Sequence, residues 1–346
     1  MRSATNRLLI QFKIQYEAMS KDLNTTMMIH GEMIKNKGED SFSEYILENR
    51  GYMGVYDGCG GIGSKRYANA GGSTGAYLSS RFLALKMYEW VREHAENENF
   101  INQKDSEKIG KYLQKHLTAF RTQLDTGNPM GVKGGLSISL PSTAAMFFYQ
   151  CREEDVITKF LWAGDSRGYI LDMNGLAQIT ADDVDDRQDA FSNLTNDSKL
   201  ENVVNADKDF VINEKDVALC KPCILLVSSD GVFGYIPTPM EFEYMLLATL
   251  EQAGSFDEWQ KRMSAFIKEY ASDDYTLGMA VIGFDDFEMV KNYYTPRTRY
   301  LYSRFIKPIE EGRAAGSRSD LKKYWEIYRP NYSRYLTGTD SYGKNI

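Results

Sequence analysis

The sequence predicts an α+β fold in which antiparallel sheets are covered by pairs of helices. Short apolar runs bounded by turn residues are typical of strands, and they occur both before and after two long amphipathic segments. This order differs from the steady strand–helix alternation of a doubly wound parallel sheet. With 346 residues, 42% of them hydrophobic and 26% charged, the chain has ordinary globular proportions and enough apolar material for a core.

In the first half of the chain, strands are predicted before a pair of helices. Period-two apolar patterns indicate strands over residues 8–16, 25–33, 42–47 and 52–56. The last of them runs directly into DGCGG, a loop with the character of a site. Ser73 is expected to be the N-cap of a helix that ends near Ala95, because apolar residues then recur at helical spacing. A second amphipathic helix is predicted over residues 105–124.

In the second half, strands return and two more helices follow. The strings TAAMFFYQ, ITKFLWA, GYILDM and CILLVSS predict strands, and LGMAVIGF predicts a final one. Helices are predicted over residues 239–251 and 256–270. From about Asp285 onward the chain is rich in Tyr, Arg and Lys and has no strand-like run, which indicates an appended helical segment.

The aromatic residues of this last segment suggest how it is used. Trp325, Tyr328, Tyr332 and Tyr335 have approximately helical spacing, and Pro330 is expected to break or kink their helix. We interpret them as a stripe that docks on the domain. A protein partner for the extension is the alternative.

Charge and hydropathy exclude several classes of partner. A net charge of −7 and a pI near 5.3 argue against nucleic acid, because a surface that follows phosphates needs a basic excess. No apolar run reaches the roughly 18 residues of a spanning helix, and the start of the chain does not resemble a secretion signal. We therefore expect a cytoplasmic protein that binds neither nucleic acid nor a membrane.

The cysteines and histidines narrow the chemistry further. Four cysteines in so long a chain do not form a disulfide framework, so a reducing compartment fits them best. Three histidines leave little material for a zinc site or a Ser/His/Asp triad.

Acidic residues recur at the borders of the apolar runs. They are Glu39, Asp40, Asp57, Asp165, Asp230, Asp273 and Asp274. Each of them alone is an ordinary turn residue, but several strand ends can converge at one rim of a sheet. Carboxylate oxygens are the ligands that Mg²⁺ and Mn²⁺ prefer, so the recurrence predicts a site for such cations.

The same residues stand in a set of motifs that matches a known family. The strings KGEDSF, GVYDGCGG, STAAMFF, WAGDSRGYIL, LAQITADD, ILLVSSDGVFGY and SDDYTLGMAVIGF, in this order, resemble the metal-dependent protein phosphatases of the phosphatase 2C class. The resemblance covers about residues 10–284. It implies a four-layer α/β/β/α sandwich of two antiparallel sheets flanked by helix pairs. It also implies a phosphatase domain over residues 1–285, with a C-terminal helical extension over residues 286–346.

The resemblance implies a set of metal ligands. Asp57 corresponds to the carboxylate that bridges two metal ions, and Gly58 offers its backbone carbonyl to one of them. Asp230 and Asp273 correspond to further ligands; Asp273, rather than Asp274, is in register because Thr276 follows three places later. Glu39, with Asp40 as its neighbour, matches the acidic residue that binds the metal pair through water. Asp165 matches the ligand of a third, weaker metal in some members.

Two positions depart from the family pattern. Lys35 stands where the family has a phosphate-binding arginine, and lysine supplies the charge without the bidentate fork. Cys59 replaces the histidine that is proposed to protonate the leaving oxygen. We hypothesise reduced turnover of alkyl phosphates, whose leaving groups need a proton, and a smaller penalty for aryl phosphates.

The function that the resemblance implies is hydrolysis of phosphoserine and phosphothreonine in proteins. Two divalent ions, Mn²⁺ or Mg²⁺, with a third in some members, activate a bridging water, and no side-chain nucleophile is required. The alternative is a pseudophosphatase that retains the fold and serves as a binding or regulatory module. Retention of Asp57, Asp230 and Asp273 favours the enzyme, whereas Cys59 and Lys35 favour the module.

Other motifs receive structural interpretations. The string GCGGIGSK lacks the Gly-Lys-Ser/Thr ending of a phosphate-binding P-loop. Cys220 and Cys223 form a single CxxC, which we interpret as buried structural thiols, and we interpret His30 as an ordinary strand residue. The acidic run over residues 181–189 is interpreted as part of a variable flap, about residues 182–214, that controls substrate entry.

Overall fold

The structure is a computed structural model, and it describes residues 23–95, 105–126, 138–185, 189–193, 199–316 and 321–336. The strand predicted over residues 8–16 lies outside these ranges. The strands are β1 (Leu23–Gly31), β2 (Asp40–Ile46), β3 (Arg50–Gly58), β4 (Arg66–Tyr67), β5 (Ser73–Thr74), β6 (Ser142–Cys151), β7 (Asp155–Ala163), β8 (Arg167–Asp172), β9 (Gly175–Gln178), β10 (Asn213–Cys220), β11 (Cys223–Ser228) and β12 (Tyr275–Phe284).

The helices fall into two groups along the chain, with two very short ones between. They are α1 (Gly75–His94), α2 (Asp105–Asp125), α3 (Ala190–Asn193), α4 (Asp230–Phe233), α5 (Pro239–Gln252), α6 (Phe256–Tyr270), α7 (Phe287–Leu301), α8 (Lys307–Ala314) and α9 (Leu321–Tyr332). A π-helical turn, Tyr302–Ile306, joins α7 to α8. Across the described ranges, no helix has both the length and the apolar composition that crossing a bilayer requires.

Ten of the strands form two five-stranded antiparallel sheets. Sheet I has the order β1-β12-β11-β8-β9, and sheet II has the order β10-β7-β6-β3-β2. The central strands of both sheets are buried on both faces, as β6 illustrates: Ala145, Phe147 and Tyr149 pack between the sheets, whereas Ala144, Met146 and Phe148 pack on the helix side. This two-sided burial explains why the strands are continuous apolar runs in the sequence.

Three clusters of buried apolar side chains separate four layers. One lies between the sheets and joins residues such as Phe147 and Leu225. A second joins the outer face of sheet II to α1 and α2, with Leu83 and Leu113 among its members. The third joins the outer face of sheet I to the helices from α5 onward. The predicted α/β/β/α sandwich is therefore confirmed.

The start of α1 differs from the prediction by one residue. The cap is Thr74, whose hydroxyl accepts a hydrogen bond from the Tyr77 amide at 3.1 Å. Ser73 was the wrong choice because the helix begins at Gly75, so the residue directly before it is Thr74, whereas Ser73 pairs with Tyr67 in β5. The capping chemistry was correctly expected, but the hydroxyl that performs it is the second of two neighbours.

The C-terminal segment is helical and is docked on the domain. Trp325, Tyr328 and Tyr332 are buried in the cluster on sheet I, together with residues of α5 and α6. Helix α9 passes through Pro330 and ends at Tyr332, so the chain does not break at the proline. Pro330 lies in the last turn of α9. The backbone hydrogen bond that a proline removes there costs the helix little, because only two helical residues follow.

Candidate active site

The predicted acidic residues lie at strand ends on one side of the sandwich. Asp57 is next to last in β3 and pairs with Asp40, the first residue of β2. Asp165 lies in the turn between β7 and β8, whose ends pair with the ends of β6 and β11. Asp230 follows β11, and Asp273 precedes the neighbouring strand β12. The two sheets thus bring five carboxyl groups from distant parts of the chain to one rim.

Asp57 lies at the centre of this cluster. Burial and the negative charges of Asp40, Asp230 and Asp165 raise the pKa of Asp57 well above its ordinary range. Carboxyl groups whose like charges are crowded in a poorly solvated space are stabilised by a bound proton or by a cation.

Asp40 links the two sheets. Its Oδ2 atom accepts hydrogen bonds from Ser229 Oγ at 2.7 Å and from Thr276 Oγ1 at 2.8 Å, and only 1% of the residue is exposed. Burial raises the pKa of Asp40 to about 7, although the two hydroxyl groups oppose the shift. Because Thr276 belongs to sheet I, Ser229 directly follows its strand β11 and Asp40 belongs to sheet II, these bonds hold Asp57 against Asp230.

Glu39 reaches the rim from the residue before β2. Its Oε1 atom accepts a hydrogen bond from Thr74 Oγ1 at 2.6 Å. Burial raises the pKa of Glu39, and the charges of Asp274 and Asp273 raise it further, against the lowering effect of Thr74. A Cβ atom on Gly60 would lie 2.2 Å from Glu39 Oε2, so the glycine leaves the room that this carboxylate occupies.

Asp165 lies beside Asp230 in the turn that follows β7. Burial, followed by the charges of Asp230 and Asp182, raises the pKa of Asp165 to about 8. The turn is tied to sheet II by a hydrogen bond of 2.7 Å between the hydroxyls of Ser166 and Thr143. Asp165 is therefore positioned by the same strand, β6, that supports Asp57.

Gly58 and Cys59 continue from Asp57 into the loop. Gly58 is buried, and a Cβ atom there would lie 2.4 Å from the carbonyl oxygen of Ala76. Burial and the charges of Asp57, Asp165 and Asp230 raise the pKa of the Cys59 thiol well above its ordinary value. The thiol is thus a neutral group that faces the carboxylate cluster.

Lys35 and Asp273 lie at the outer edge of the site. Lys35 is exposed in the loop between β1 and β2, which ends at Glu39. Asp273 is also exposed, and its Oδ1 atom accepts a hydrogen bond from the amide of Asp274 at 2.8 Å. Burial raises the pKa of Asp273 despite this bond, and the charges of Asp230 and Asp274 contribute.

Comparisons with known proteins identify the fold. No protein-family model and no curated protein matches the chain. Among solved structures, the serine/threonine phosphatase Stp1 from Staphylococcus aureus is 18% identical with a TM-score of 0.52, and the match covers 75% of this chain and 95% of Stp1. A bacterial serine phosphatase is 17% identical with a TM-score of 0.53, over 76% of this chain and all of that one (100%).

A third solved structure, PppA, described as a key regulatory component of T6SS in Pseudomonas aeruginosa, is 16% identical with a TM-score of 0.50, over 76% of this chain and 99% of PppA. The chain has the fold of the metal-dependent protein phosphatases. The fold that was predicted from the resemblance of the motifs is thereby confirmed. At these identities the chemistry has to be argued from the residues of this chain.

The side chains at the rim of this phosphatase fold suit hard cations in kind and in charge. The donors are carboxylate oxygens of Asp57, Asp165, Asp230 and Asp273, which crowd negative charge into a partly buried space. Within the described ranges, no three His, Cys, Asp or Glu side chains are already arranged as a finished metal site. The assignment of donors therefore rests on their chemistry and mutual electrostatics.

The sequence did not predict the hydrogen bonds that Asp40 and Asp274 make at the rim. Asp40 was expected only as a neighbour of Glu39, but it is the carboxylate through which the two sheets are hydrogen bonded. Asp274 accepts hydrogen bonds from the loop that carries Lys35. A weak signal existed, since a serine and a threonine flank Asp230 and Asp273 in the motifs SSD and DDYT.

His30 lies closer to the site than an ordinary strand residue. Its Nδ1 atom is 2.9 Å from Thr276 Oγ1, the same hydroxyl that donates to Asp40. Burial lowers the pKa of His30, so the ring is neutral near pH 7. The neutral His30 ring thus helps to hold the Thr276 hydroxyl in position for its hydrogen bond to Asp40.

Proposed function

We propose that this protein is a metal-dependent phosphatase that hydrolyses phosphoserine and phosphothreonine in proteins. The observation that carries the proposal is the convergence of the Asp40, Asp57, Asp165 and Asp230 carboxyl groups at adjoining strand ends, close enough for the charges of the other three to raise the pKa of Asp57. Such crowding costs stability unless positive charge compensates it. The loss of stability is explained if these carboxyl groups form a catalytic site that binds divalent cations.

The residues have separate roles in binding two Mn²⁺ or Mg²⁺ ions. Asp57 would hold both ions, the carbonyl of Gly58 and the carboxylates of Asp230 and Asp273 would complete the protein ligands, and Glu39 would act through water. Asp165 is the donor for a third, weaker ion. Carboxylate and carbonyl oxygens are the donors that these cations select.

The chemistry that divalent cations supply at such carboxylates is neutralisation of the phosphate charge and activation of water for in-line attack on phosphorus. Lys35 contributes a further positive charge for the substrate phosphate, as a point charge rather than a bidentate fork. Cys59, a neutral thiol beside Asp57, takes the place from which the leaving oxygen would be protonated. The chain itself therefore supplies positioning and charge, and it needs no covalent nucleophile.

A pseudophosphatase is the second candidate, and Cys59 is the observation that favours it. A thiol whose pKa is raised by burial and by Asp57, Asp165 and Asp230 is a poor proton donor. In that case the same rim would bind a phosphorylated protein without releasing phosphate.

The experiment that decides between them is a hydrolysis assay with p-nitrophenyl phosphate and a phosphothreonine peptide, in Mn²⁺, in Mg²⁺ and with chelator. We expect turnover in either metal, none with chelator, and a fall of about 100-fold or more in Asp57→Asn and Asp230→Asn. Asp285→Asn, which removes an exposed carboxylate elsewhere, is the matched control and should leave turnover unchanged.

If the folded wild type turns over no faster than Asp57→Asn and Asp230→Asn, any remaining activity belongs to a contaminant and the enzyme is rejected. Metal-independent turnover that survives both substitutions would exclude the proposed site in the same way. Circular dichroism of each variant establishes that the comparison is made between folded proteins.

A further inference from the structure

The loop between β1 and β2, residues 32–38, carries Lys35 and leads directly into Glu39. Its side chains do not hold it in place by apolar burial, because Met33 is 54% exposed and Ile34 is 62% exposed. Lys35 and Lys37 are exposed as well. Polar contacts must therefore fix the loop if Lys35 is to meet a phosphate in a defined position.

The carboxylate of Asp274 closes this loop at both ends. Its Oδ1 atom accepts a hydrogen bond from the Met33 amide at 2.7 Å, and its Oδ2 atom accepts one from the Glu39 amide at 2.7 Å. Hydrogen bonds to a charged acceptor are about twice as strong as neutral ones. One side chain thus fixes the residues that enter and leave the loop.

The backbone of Asp274 is itself seated against the candidate ligands. A Cβ atom on Gly231 would lie 1.9 Å from the Asp274 carbonyl oxygen, so the chain after Asp230 packs directly on this residue. The amide of Asp274 donates to Asp273 Oδ1 at 2.8 Å. The carboxylate that fixes the loop is therefore held in register with both Asp230 and Asp273.

A second set of contacts holds the loop from helix α1. Arg81 donates from Nη1 to the Gly38 carbonyl at 2.9 Å and pairs through Nη2 with Glu32 Oε1 at 3.1 Å. The other oxygen of Glu32 accepts a hydrogen bond from the Asn36 amide at 2.5 Å. The loop is thus braced from α1 on one side and from Asp274 on the other.

We propose that Asp274 is a positioning residue for the substrate phosphate, acting through the loop that carries Lys35. The inference rests on the proposed phosphatase function. A carboxylate suits this place because both of its oxygen atoms accept hydrogen bonds. An asparagine would offer one acceptor and would direct its NH₂ group against the second backbone amide.

The test compares wild type, Asp274→Asn, Lys35→Ala and the double variant of the full chain in the peptide assay. We expect Asp274→Asn to raise KM for the phosphothreonine peptide about 10-fold with a much smaller change in kcat, because the loss of a charged hydrogen bond misplaces Lys35. In the Lys35→Ala background the same substitution should have little further effect on KM. Asp285→Asn is the control for the lost charge.

Hydrogen exchange of the Met33 and Glu39 amides gives a readout that is independent of turnover. Both amides should exchange about 10-fold faster or more in Asp274→Asn, since each loses its acceptor. Faster exchange with an unchanged KM would overturn the proposal, because the residue would then be only structural. An equal effect on KM with and without Lys35 would overturn it as well.

Absence of turnover in the wild type would reject the proposed function and leave this inference to a binding measurement. Inorganic phosphate titrated into wild type and Asp274→Asn, in Mn²⁺ and followed by calorimetry, then decides it. About 10-fold weaker phosphate binding in the variant would support the positioning role. Equal affinity would overturn it.

Discussion

Cys59, which in the proposed phosphatase takes the place of the proton donor, faces the carboxyl groups of Asp57, Asp165 and Asp230. Without bound cations, burial and these negative charges raise the pKa of the Cys59 thiol and favour its neutral form. A thiol that holds its proton so firmly is a weak general acid at neutral pH. This residue should therefore limit the range of leaving groups more than the binding of phosphate.

We expect Cys59→His to raise turnover of a phosphothreonine peptide by about 10-fold or more, because general acid catalysis typically contributes 10²- to 10⁴-fold. p-Nitrophenyl phosphate, whose leaving group needs no proton, should gain much less. Steady-state kcat measured on both substrates checks this, with Cys59→Ala as the control for the loss of the thiol. Equal gains on both substrates would contradict a role in protonation.

The ligand role of the candidate aspartates stays a prediction, whereas their position could be predicted from the sequence, because each of them lies within two residues of the end of an apolar strand. The role of Asp40 could not, because its hydrogen bonds join residues 189 and 236 positions away in the chain. Which hydroxyl meets which carboxylate depends on how the two sheets face each other. That arrangement is set by tertiary packing rather than by any local pattern.

Helix α9 is tied to the rest of the protein by one buried polar group. Glu243 of α5, which is 0% exposed, accepts two hydrogen bonds from Arg297 of α7, at 2.7 and 2.9 Å, and a third from the hydroxyl of Tyr328 in α9. Burial, followed by the Glu243 charge, raises the pKa of Tyr328 well above its ordinary value, so the hydroxyl remains a donor. Three helices therefore converge on one carboxylate.

Tyr328→Phe should lower the free energy of unfolding by about 1.5–3 kcal/mol, because it removes a hydrogen bond to a buried charge and retains the ring. Urea unfolding of the full chain provides the measurement. The matched control is Tyr324→Phe, one turn earlier on the same helix and only partly buried. Equal losses in the two variants would mean that the hydroxyl at position 328 contributes nothing specific.

Asp207, in the later part of the predicted flap, connects that segment to helix α2. Its carboxylate accepts hydrogen bonds from the Ser139 amide and from Arg121, both at 2.6 Å. Burial alone would raise the pKa of Asp207, but these hydrogen bonds outweigh it and hold the pKa below the ordinary value of 3.8. The carboxylate form is therefore the one that stabilises the fold.

The stability that Asp207 contributes should be fully present above its unfolded pKa and lost as the pH falls through its lower folded pKa. The difference in unfolding free energy between wild type and Asp207→Asn should accordingly be constant above about pH 5 and shrink below about pH 4. Urea unfolding of both proteins across this range measures it. A difference that grows on acidification would contradict the assignment.

Most elements of the sandwich could be predicted from the sequence, but strand β10 could not. β10, Asn213–Cys220, is charged at Glu214, Lys215 and Asp216, and its beginning was assigned to the flap. It is a strand because it pairs with β7 along its whole length, which its own composition does not indicate. The division of the chain at residue 285 stays a prediction, although α9 shares the apolar cluster of α5 and α6.

At the scale of the whole molecule, the carboxylate rim lowers the stability of the fold and provides a binding site for cations. Bringing Asp57, Asp165 and Asp230 together costs folding energy, because their like charges repel in a poorly solvated space. A cation that binds only the folded state recovers that energy by mass action. Thermal stability of the full chain should therefore report on the site without any substrate.

We expect Mn²⁺ at about 100 times its dissociation constant to stabilise the wild type by about 2.7 kcal/mol, seen as a rise in Tm. In chelator, Asp57→Asn should be more stable than the wild type, because it removes one of the crowded charges. The same variant should gain little from Mn²⁺. Differential scanning calorimetry checks both, and a Tm of Asp57→Asn that follows Mn²⁺ as the wild type does would contradict the ligand assignment.

The charged outer strand β10 has a consequence for how copies of this protein meet one another. A strand at the border of a sheet leaves backbone donors and acceptors unpaired, and these can recruit a strand from a second chain. Exposed Glu214 and Asp216 stand along this border, and Lys159 pairs with Asp216 at 2.8 Å. Docking a second β10 would bring like charges together in a poorly solvated contact. The charged residues that kept β10 from being predicted as a strand are thus the ones that protect the sandwich from edge-to-edge aggregation.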